Sequence, residues 1–323
     1  MSDAQKLAVV FPGQGSQKLA MLQDFYHDYK VFRERISLAS EVLGYDLWSV
    51  IQSDNDRLNQ TRYTQPALLA SSLGIWEVAK EFGMPCPAGL AGHSLGEYSA
   101  LVAGGVLDFT DAVRLVSLRG EWMEEASGTV ATGMLVVVGL NEEEIQQLRG
   151  SDDPTDHNFL VVANYNSPKQ FVLSGYCTAC EQAASAAKRM GAKIARLLPV
   201  SVASHSELMR KAAERLEEEF NKLTFKTPVI PIYRDVDGGI HQDPLRIPLD
   251  LKMQTVAGVQ WVKIVEHLLR DGINKICECG PGHVLTGLNR QIVAVVNSGM
   301  EAEVLVESWE STEQLRSSLG LEF

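Results

Sequence analysis

Long apolar runs are missing from this chain of 323 residues. No stretch approaches the ~20 apolar residues of a bilayer-spanning helix, so no membrane span is expected. Cysteine is sparse: five residues, an odd number without framework spacing, exclude a disulfide scaffold and suit a reduced compartment. Positive charge is also short. Against 41 acidic residues stand 29 basic ones, and the formal charge of −12 repels nucleic acid and anionic membrane surfaces, so neither is an expected partner. The apolar run from Leu7 to Phe11 is shorter than the apolar core of a secretory signal, which points to the cytoplasm. What is present is the composition of a globular protein, 45% apolar and 22% charged, with a length that suggests about two domains.

Short apolar runs alternate with helical periods in the first half. Leu7 to Phe11 reads as a buried strand, Gln65 to Phe82 as a helix, Ala88 to Gly92 as a second strand and Leu95 to Ala103 as the helix after it. Strand, glycine-bearing turn and helix in succession predict an α/β fold with a largely parallel sheet. From Thr132 to Pro199 the pattern tightens. Strands at Met134 to Gly139, Phe159 to Ala163, Gln170 to Ser174 and Lys193 to Leu198, with helices at Asn141 to Leu148 and Thr178 to Met190, give the order βαββαβ of a ferredoxin-like unit. Afterwards a helix (Glu207 to Lys222), strands (Val229 to Tyr233, Ile276 to Glu278) and a further helix (Trp261 to Arg270) resume the first pattern. The polar stretches Ser151 to Asn158 and Arg234 to Leu245 read as surface loops.

Gly92-His93-Ser94-Leu95-Gly96 lies where a short buried strand meets a helix, the context of a nucleophile elbow. Small residues let the chain turn sharply, and the N-terminus of the helix from Leu95 directs unpaired N–H groups at any oxyanion formed there. The alternative is a serine that merely caps the helix. A nucleophilic serine needs a base, and His205 lies where the chain leaves the βαββαβ unit, a junction at which clefts form. Phe11-Pro12-Gly13-Gln14-Gly15-Ser16-Gln17 follows the first strand without the spacing of a dinucleotide loop. Cys177-x-x-Cys180 has neither a second pair nor a histidine at ligand spacing, so zinc is not expected.

Gly13-Gln14-Gly15-Ser16-Gln17, Thr64-Gln65-Pro66-Ala67-Leu68, Gly92-His-Ser94-Leu-Gly-Glu97, Leu118-Arg119-Gly120, Asn164-x-Asn166-Ser-Pro168, Ser204-His205 and Gly280-Pro-Gly282-x-Val284-Leu together resemble, in order and spacing, the malonyl-CoA:acyl carrier protein transacylases of dissociated fatty acid synthesis. The resemblance implies an α/β-hydrolase-like catalytic subdomain over 1–130 and 200–323 and an inserted ferredoxin-like subdomain over 131–199. It implies Ser94 as the acylated nucleophile, His205 as its base, and the N–H groups of Gln14 and Leu95 as the oxyanion hole. Arg119 then binds the malonyl carboxylate, Gln65 and Asn164 lie along the acyl and pantetheine parts, and the main-chain carbonyl of Gln254 orients the histidine. Malonyl-CoA and acyl carrier protein are the implied partners of a monomer that uses no cofactor. Val202-Ala203-Ser204-His205 also resembles the tetrapeptide of polyketide acyltransferases that take branched extender units, and a serine thioesterase on the same elbow is the other alternative. Arg234-Asp235 departs from the family's asparagine-bearing turn. Lys188, Arg189, Lys193 and Arg196 are candidates for docking an acidic carrier.

Overall fold

A computed structural model describes residues 5–126, 130–296 and 303–321 of the chain. Nine strands lie among these residues: β1 (Leu7–Phe11), β2 (Gly89–Gly92), β3 (Thr132–Val138), β4 (Leu160–Ser167), β5 (Gln170–Tyr176), β6 (Ile194–Leu197), β7 (Ile232–Tyr233), β8 (Lys275–Glu278) and β9 (Leu305–Ser308). The fold is α/β, with one parallel and one separate antiparallel sheet.

The five-stranded sheet runs β7-β2-β1-β8-β9, with every pair parallel. β1 is buried along its whole length because helices cover both faces, which is why Leu7 to Phe11 is apolar without alternation. Phe11 stands level with Gly92, and Val10 with Glu278, so the loops after β1, β2 and β8 leave the same carboxyl edge side by side. That edge is where open parallel sheets bind ligands, since the neighbouring crossovers diverge there.

Two glycines allow the close approach. A Cβ at Gly92 meets the Gly96 carbonyl group at 1.9 Å, and one at Gly96 meets the Phe11 carbonyl oxygen at 2.0 Å. Any side chain at either position pushes the turn after β2 away from β1.

The second sheet, in the order β4-β5-β3-β6, is antiparallel throughout and holds the helices Glu142–Gln146 and Cys177–Arg189 on one face. Alternation assigns the two faces. Leu135, Val137, Phe171 and Leu173 pack under those helices, while Met134 and Val172 turn to the other side.

Several expectations are corrected. The helix expected from Gln65 begins at Thr61 and runs to Glu81 with Pro66 in its second turn, where proline forfeits only the bond to the Arg62 carbonyl. Val229 to Tyr233 contains strand only at Ile232–Tyr233, and Val229 is exposed. β4 extends to Ser167 through two register shifts that sequence periodicity cannot show. Most consequentially, Arg234 to Leu245 is not a surface loop: Asp235 is fully buried and His241 nearly so.

Candidate active site

Ser94 sits between β2 and the helix Leu95–Ala103 with φ 54° and ψ −108°, a strained conformation for a residue with a side chain. The sharp turn lifts its hydroxyl off the sheet. His205, also at positive φ (58°), brings Nε2 to 2.7 Å from Ser94 Oγ. Its Nδ1 lies 2.8 Å from the Gln254 carbonyl oxygen. A carbonyl only accepts, so Nδ1 carries the proton and Nε2 presents a lone pair to the serine hydroxyl. The carbonyl is free for this because Gln254 lies in the last turn of the helix Ile247–Val256, where backbone oxygens lack partners inside the helix. Burial, followed by the charge of Arg119, pushes the His205 imidazole down to about 3 and keeps it neutral.

Arg119, on the helix Phe109–Ala126, is 2% exposed. Its Nη1 donates to Gln65 Oε1 at 2.8 Å, and its Nη2 donates to Ser94 Oγ and Gln254 Oε1, each at 3.1 Å. All three acceptors are neutral. Among the described residues no carboxylate forms an ion pair with this guanidinium, and Nε has no hydrogen-bond partner. A buried guanidinium whose hydrogen-bond acceptors are all neutral, with Glu97 and Asp235 acting on it without a direct ion pair, is poised beside the Ser94 hydroxyl for an anionic ligand.

The cleft over these groups encloses about 520 Å³. Its floor is the carboxyl edge of the parallel sheet, with Gln14, Gln65, Ser94 and Leu95; its roof is the open face of the second sheet, with Met134, Val136, Asn164 and Val172. Gln14 and Leu95 line this space, and no backbone or side-chain acceptor among the described residues takes their N–H groups. Ser94, His205, Arg119, Gln65 and Gln254 are thus joined by hydrogen bonds, and Gln14, Leu95 and Asn164 share their cleft. His93 leaves the turn sideways, its Nε2 2.8 Å from Asn166 Oδ1 on β4.

Beneath the turn lies a buried polar cluster that the sequence reading left out. Asp235 Oδ2 accepts the Ser94 N–H at 2.6 Å. Gln254 Nε2 donates to the Ser94 carbonyl oxygen at 2.7 Å and lies 2.8 Å from Glu97 Oε2 and 3.1 Å from Asp235 Oδ2. His241 faces two acids, Glu97 Oε1 at 2.7 Å and Asp250 Oδ2 at 3.4 Å. Burial alone would lower this imidazole, but its hydrogen bonds to Asp250 and Glu97 and their charge raise it to about 9. Its raised folded value stabilises the fold fully below the unfolded value near 6.5, and that contribution disappears as pH rises through about 9. His241→Gln should therefore flatten the fall in urea midpoint between pH 6.5 and 9.5; an unchanged slope would exclude the charged imidazole. The only sequence signals for this cluster were Glu97 inside the elbow motif and the departure at Arg234-Asp235.

Among the described residues, no group of three or more His, Cys, Asp or Glu is placed to hold a metal ion, and no helix is long and apolar enough to cross a membrane. The acyl transferase domain family matches residues 8–281. The chain is 44% identical to the malonyl CoA-acyl carrier protein transacylase of Salmonella typhimurium, over 89% of this chain and 93% of that protein. It is 38% identical to the enzyme of the same name from Bacillus subtilis, over 89% and 90%. Among solved structures it superposes with TM-score 0.90 and 40% identity on a malonyl-transacylase in complex with the acyl-carrier protein of a type II polyketide synthase, covering 98% of this chain and 99% of that one. The transacylase of Coxiella burnetii superposes equally well, with TM-score 0.90, 38% identity and coverage of 98% and 97%.

Proposed function

The chain belongs to the acyl transferase domain family, among the malonyl-CoA:acyl carrier protein transacylases, and from that membership we propose that Ser94 carries a malonyl group from coenzyme A to the thiol of acyl carrier protein. The observation that carries this reading is Arg119, a buried guanidinium with only neutral partners, 3.1 Å from the nucleophilic oxygen. A guanidinium holds a carboxylate through two parallel hydrogen bonds, so it selects a dicarboxylic acyl group and anchors its far end while the thioester end reacts.

In the first half-reaction His205 Nε2 takes the Ser94 proton as Oγ attacks the thioester carbonyl carbon. The negative oxygen that forms meets the N–H groups of Gln14 and Leu95 and the positive end of the helix Leu95–Ala103. The imidazolium faces the negative end of the helix Ile247–Val256 through the Gln254 carbonyl. Collapse of the intermediate breaks the carbon–sulfur bond, and the departing coenzyme A sulfur takes the proton from Nε2. The carrier thiol then gives its proton to His205, attacks the malonyl ester, and Ser94 Oγ leaves with that proton. Malonyl-CoA enters as substrate, and none of these steps calls on a cofactor. The free state of all five cysteines supports a reduced, cytoplasmic setting.

Incubation with malonyl-CoA alone, followed by intact mass measurement, tests the proposal. A malonyl adduct on Ser94 that carrier protein discharges is the expected result. Free malonate without an adduct would make the protein a hydrolase.

Three of the four basic residues considered for carrier docking divide between two faces. Lys188 and Arg189 end the helix Cys177–Arg189, on the covered side of the second sheet. Arg196 stands opposite Val136, which lines the cleft. Arg196→Glu should raise the KM for carrier protein several-fold, about 1 kcal/mol, while leaving that for malonyl-CoA nearly constant. Equal effects on both substrates would remove Arg196 from the docking surface.

A further inference from the structure

Both backbone polar groups of the strained Ser94 are held by side chains. Its N–H is accepted by Asp235 Oδ2 at 2.6 Å, and its carbonyl accepts Gln254 Nε2 at 2.7 Å. The same Gln254 nitrogen lies within 3.1 Å of Asp235 Oδ2 and 2.8 Å of Glu97 Oε2, so two carboxyl groups crowd one amide. Asp235 also gives its own N–H to Glu97 Oε2 at 3.4 Å. All three side chains are at most 1% exposed.

We propose that Asp235 is a positioning residue for acylation: a neutral, proton-bearing carboxyl that accepts the Ser94 N–H and pins the elbow in its strained conformation. The inference rests on the acyl-serine reading above and deepens it. The charged and titratable groups around Asp235 support the neutral form. Glu97 approaches from the helix Leu95–Ala103 and Arg119 acts from the helix Phe109–Ala126; beyond Glu97, His241 lies between Glu97 and Asp250 on the helix Ile247–Val256. Arg234, next in the chain, is engaged by Asp237 and Asp250. The cations nearest to hand are thus taken up by other acids or directed at the cleft, while Asp235 faces a second carboxyl. Burial, then the Glu97 charge, pushes the Asp235 carboxyl well above the usual carboxylate range, and the Ser94 N–H and Arg119 offset this only in part. Asp235 Oδ1 accepts no hydrogen bond among the described residues, whereas Oδ2 takes the Ser94 N–H, which leaves Oδ1 as the oxygen for the proton.

Asp235 touches neither substrate nor Ser94 Oγ, so its effect runs through backbone geometry. With the Ser94 N–H engaged, an oxyanion receives donors only from neighbouring residues, and their aim depends on where the turn sits. Displacing a reacting group by about 1 Å typically costs on the order of a hundredfold in rate.

The test follows Ser94 acylation by malonyl-CoA and, separately, by a fluorophosphonate probe that reports an activated serine whatever its acyl substrate. Asp235→Ala should slow both by roughly 10- to 100-fold while the KM for malonyl-CoA changes less than about threefold. Asp235→Asn, which supplies an accepting oxygen and an N–H in place of the acid proton, should recover most of the lost rate. Above neutral pH the parent enzyme should lose activity as Asp235 ionises beside Glu97, and Asp235→Asn should extend that alkaline limb upward. Loss in Asp235→Asn as deep as in Asp235→Ala, or superimposed alkaline limbs, would overturn the proposal. If Asp235→Ala does not fold, the comparison of parent with Asp235→Asn decides alone. A parent labelled by the fluorophosphonate but not by malonyl-CoA would overturn the assigned substrate, and the ratio between variants would still judge Asp235.

Discussion

Ser94→Ala should yield no malonyl adduct and reduce transfer to carrier protein by on the order of 10⁴- to 10⁶-fold. Deleting the hydroxyl removes the only group that links the two half-reactions, and the cleft has no second nucleophile at hydrogen-bond distance from His205 among the described residues. The protein should still fold, because alanine adopts the same backbone conformation and, among the described residues, Ser94 Oγ hydrogen-bonds only to His205 and Arg119. His205→Ala should approach the same loss, and the double variant should be scarcely worse than either single one, since hydroxyl and imidazole act as a unit. Intact mass after incubation with malonyl-CoA, together with steady-state transfer rates, reads both effects. An adduct persisting in Ser94→Ala would move the nucleophile elsewhere and dismantle the mechanism.

Arg119→Ala should depress malonyl transfer about a thousandfold and leave acetyl transfer unharmed or improved. Removing one partner from a desolvated charge pair costs about 3–5 kcal/mol, because the carboxylate loses its counter-ion in a cleft that water reaches poorly. An acetyl group carries no such charge and loses nothing with the guanidinium. Arg119→Lys should fall between, since an ammonium keeps the charge but not the forked pair of donors. Competition between malonyl-CoA and acetyl-CoA, read as the ratio of kcat/KM values, separates selectivity from general damage. Equal losses for the two acyl groups would mean that Arg119 holds the site together rather than reading the carboxylate.

Much of this arrangement was legible in the residues. β1 is an unbroken apolar run followed by Pro12-Gly13 and β2 a short one ended by Gly92, which is how strands covered on both faces look, and the elbow follows from the second of them. The antiparallel sheet was legible from the order of its apolar runs and helices rather than from alternation, since β3 carries apolar residues on both faces. The segment from Arg234 to Leu245 was misread for a physical reason. Polar residues become buried only when partners satisfy them, and Asp235 and His241 are met by Ser94 and Glu97, which lie 138 to 144 positions away along the chain, as well as by Gln254 and Asp250. Nothing adjacent in sequence announces such partners. The helix read from Gln65 begins four residues earlier, at Thr61, because a helix tolerates proline near its start and Pro66 sits in its second turn.

The acceptor that orients His205 belongs to the peptide unit of residue 254, not to a side chain. An acidic third member of a triad disappears with a single codon change, whereas every amino acid brings a carbonyl oxygen. Replacing the glutamine would strip Arg119 and Ser94 of their amide contacts and leave the tautomer of the base intact. This half of the proposed dyad is thus set by the backbone at residue 254 and not by the side chain carried there.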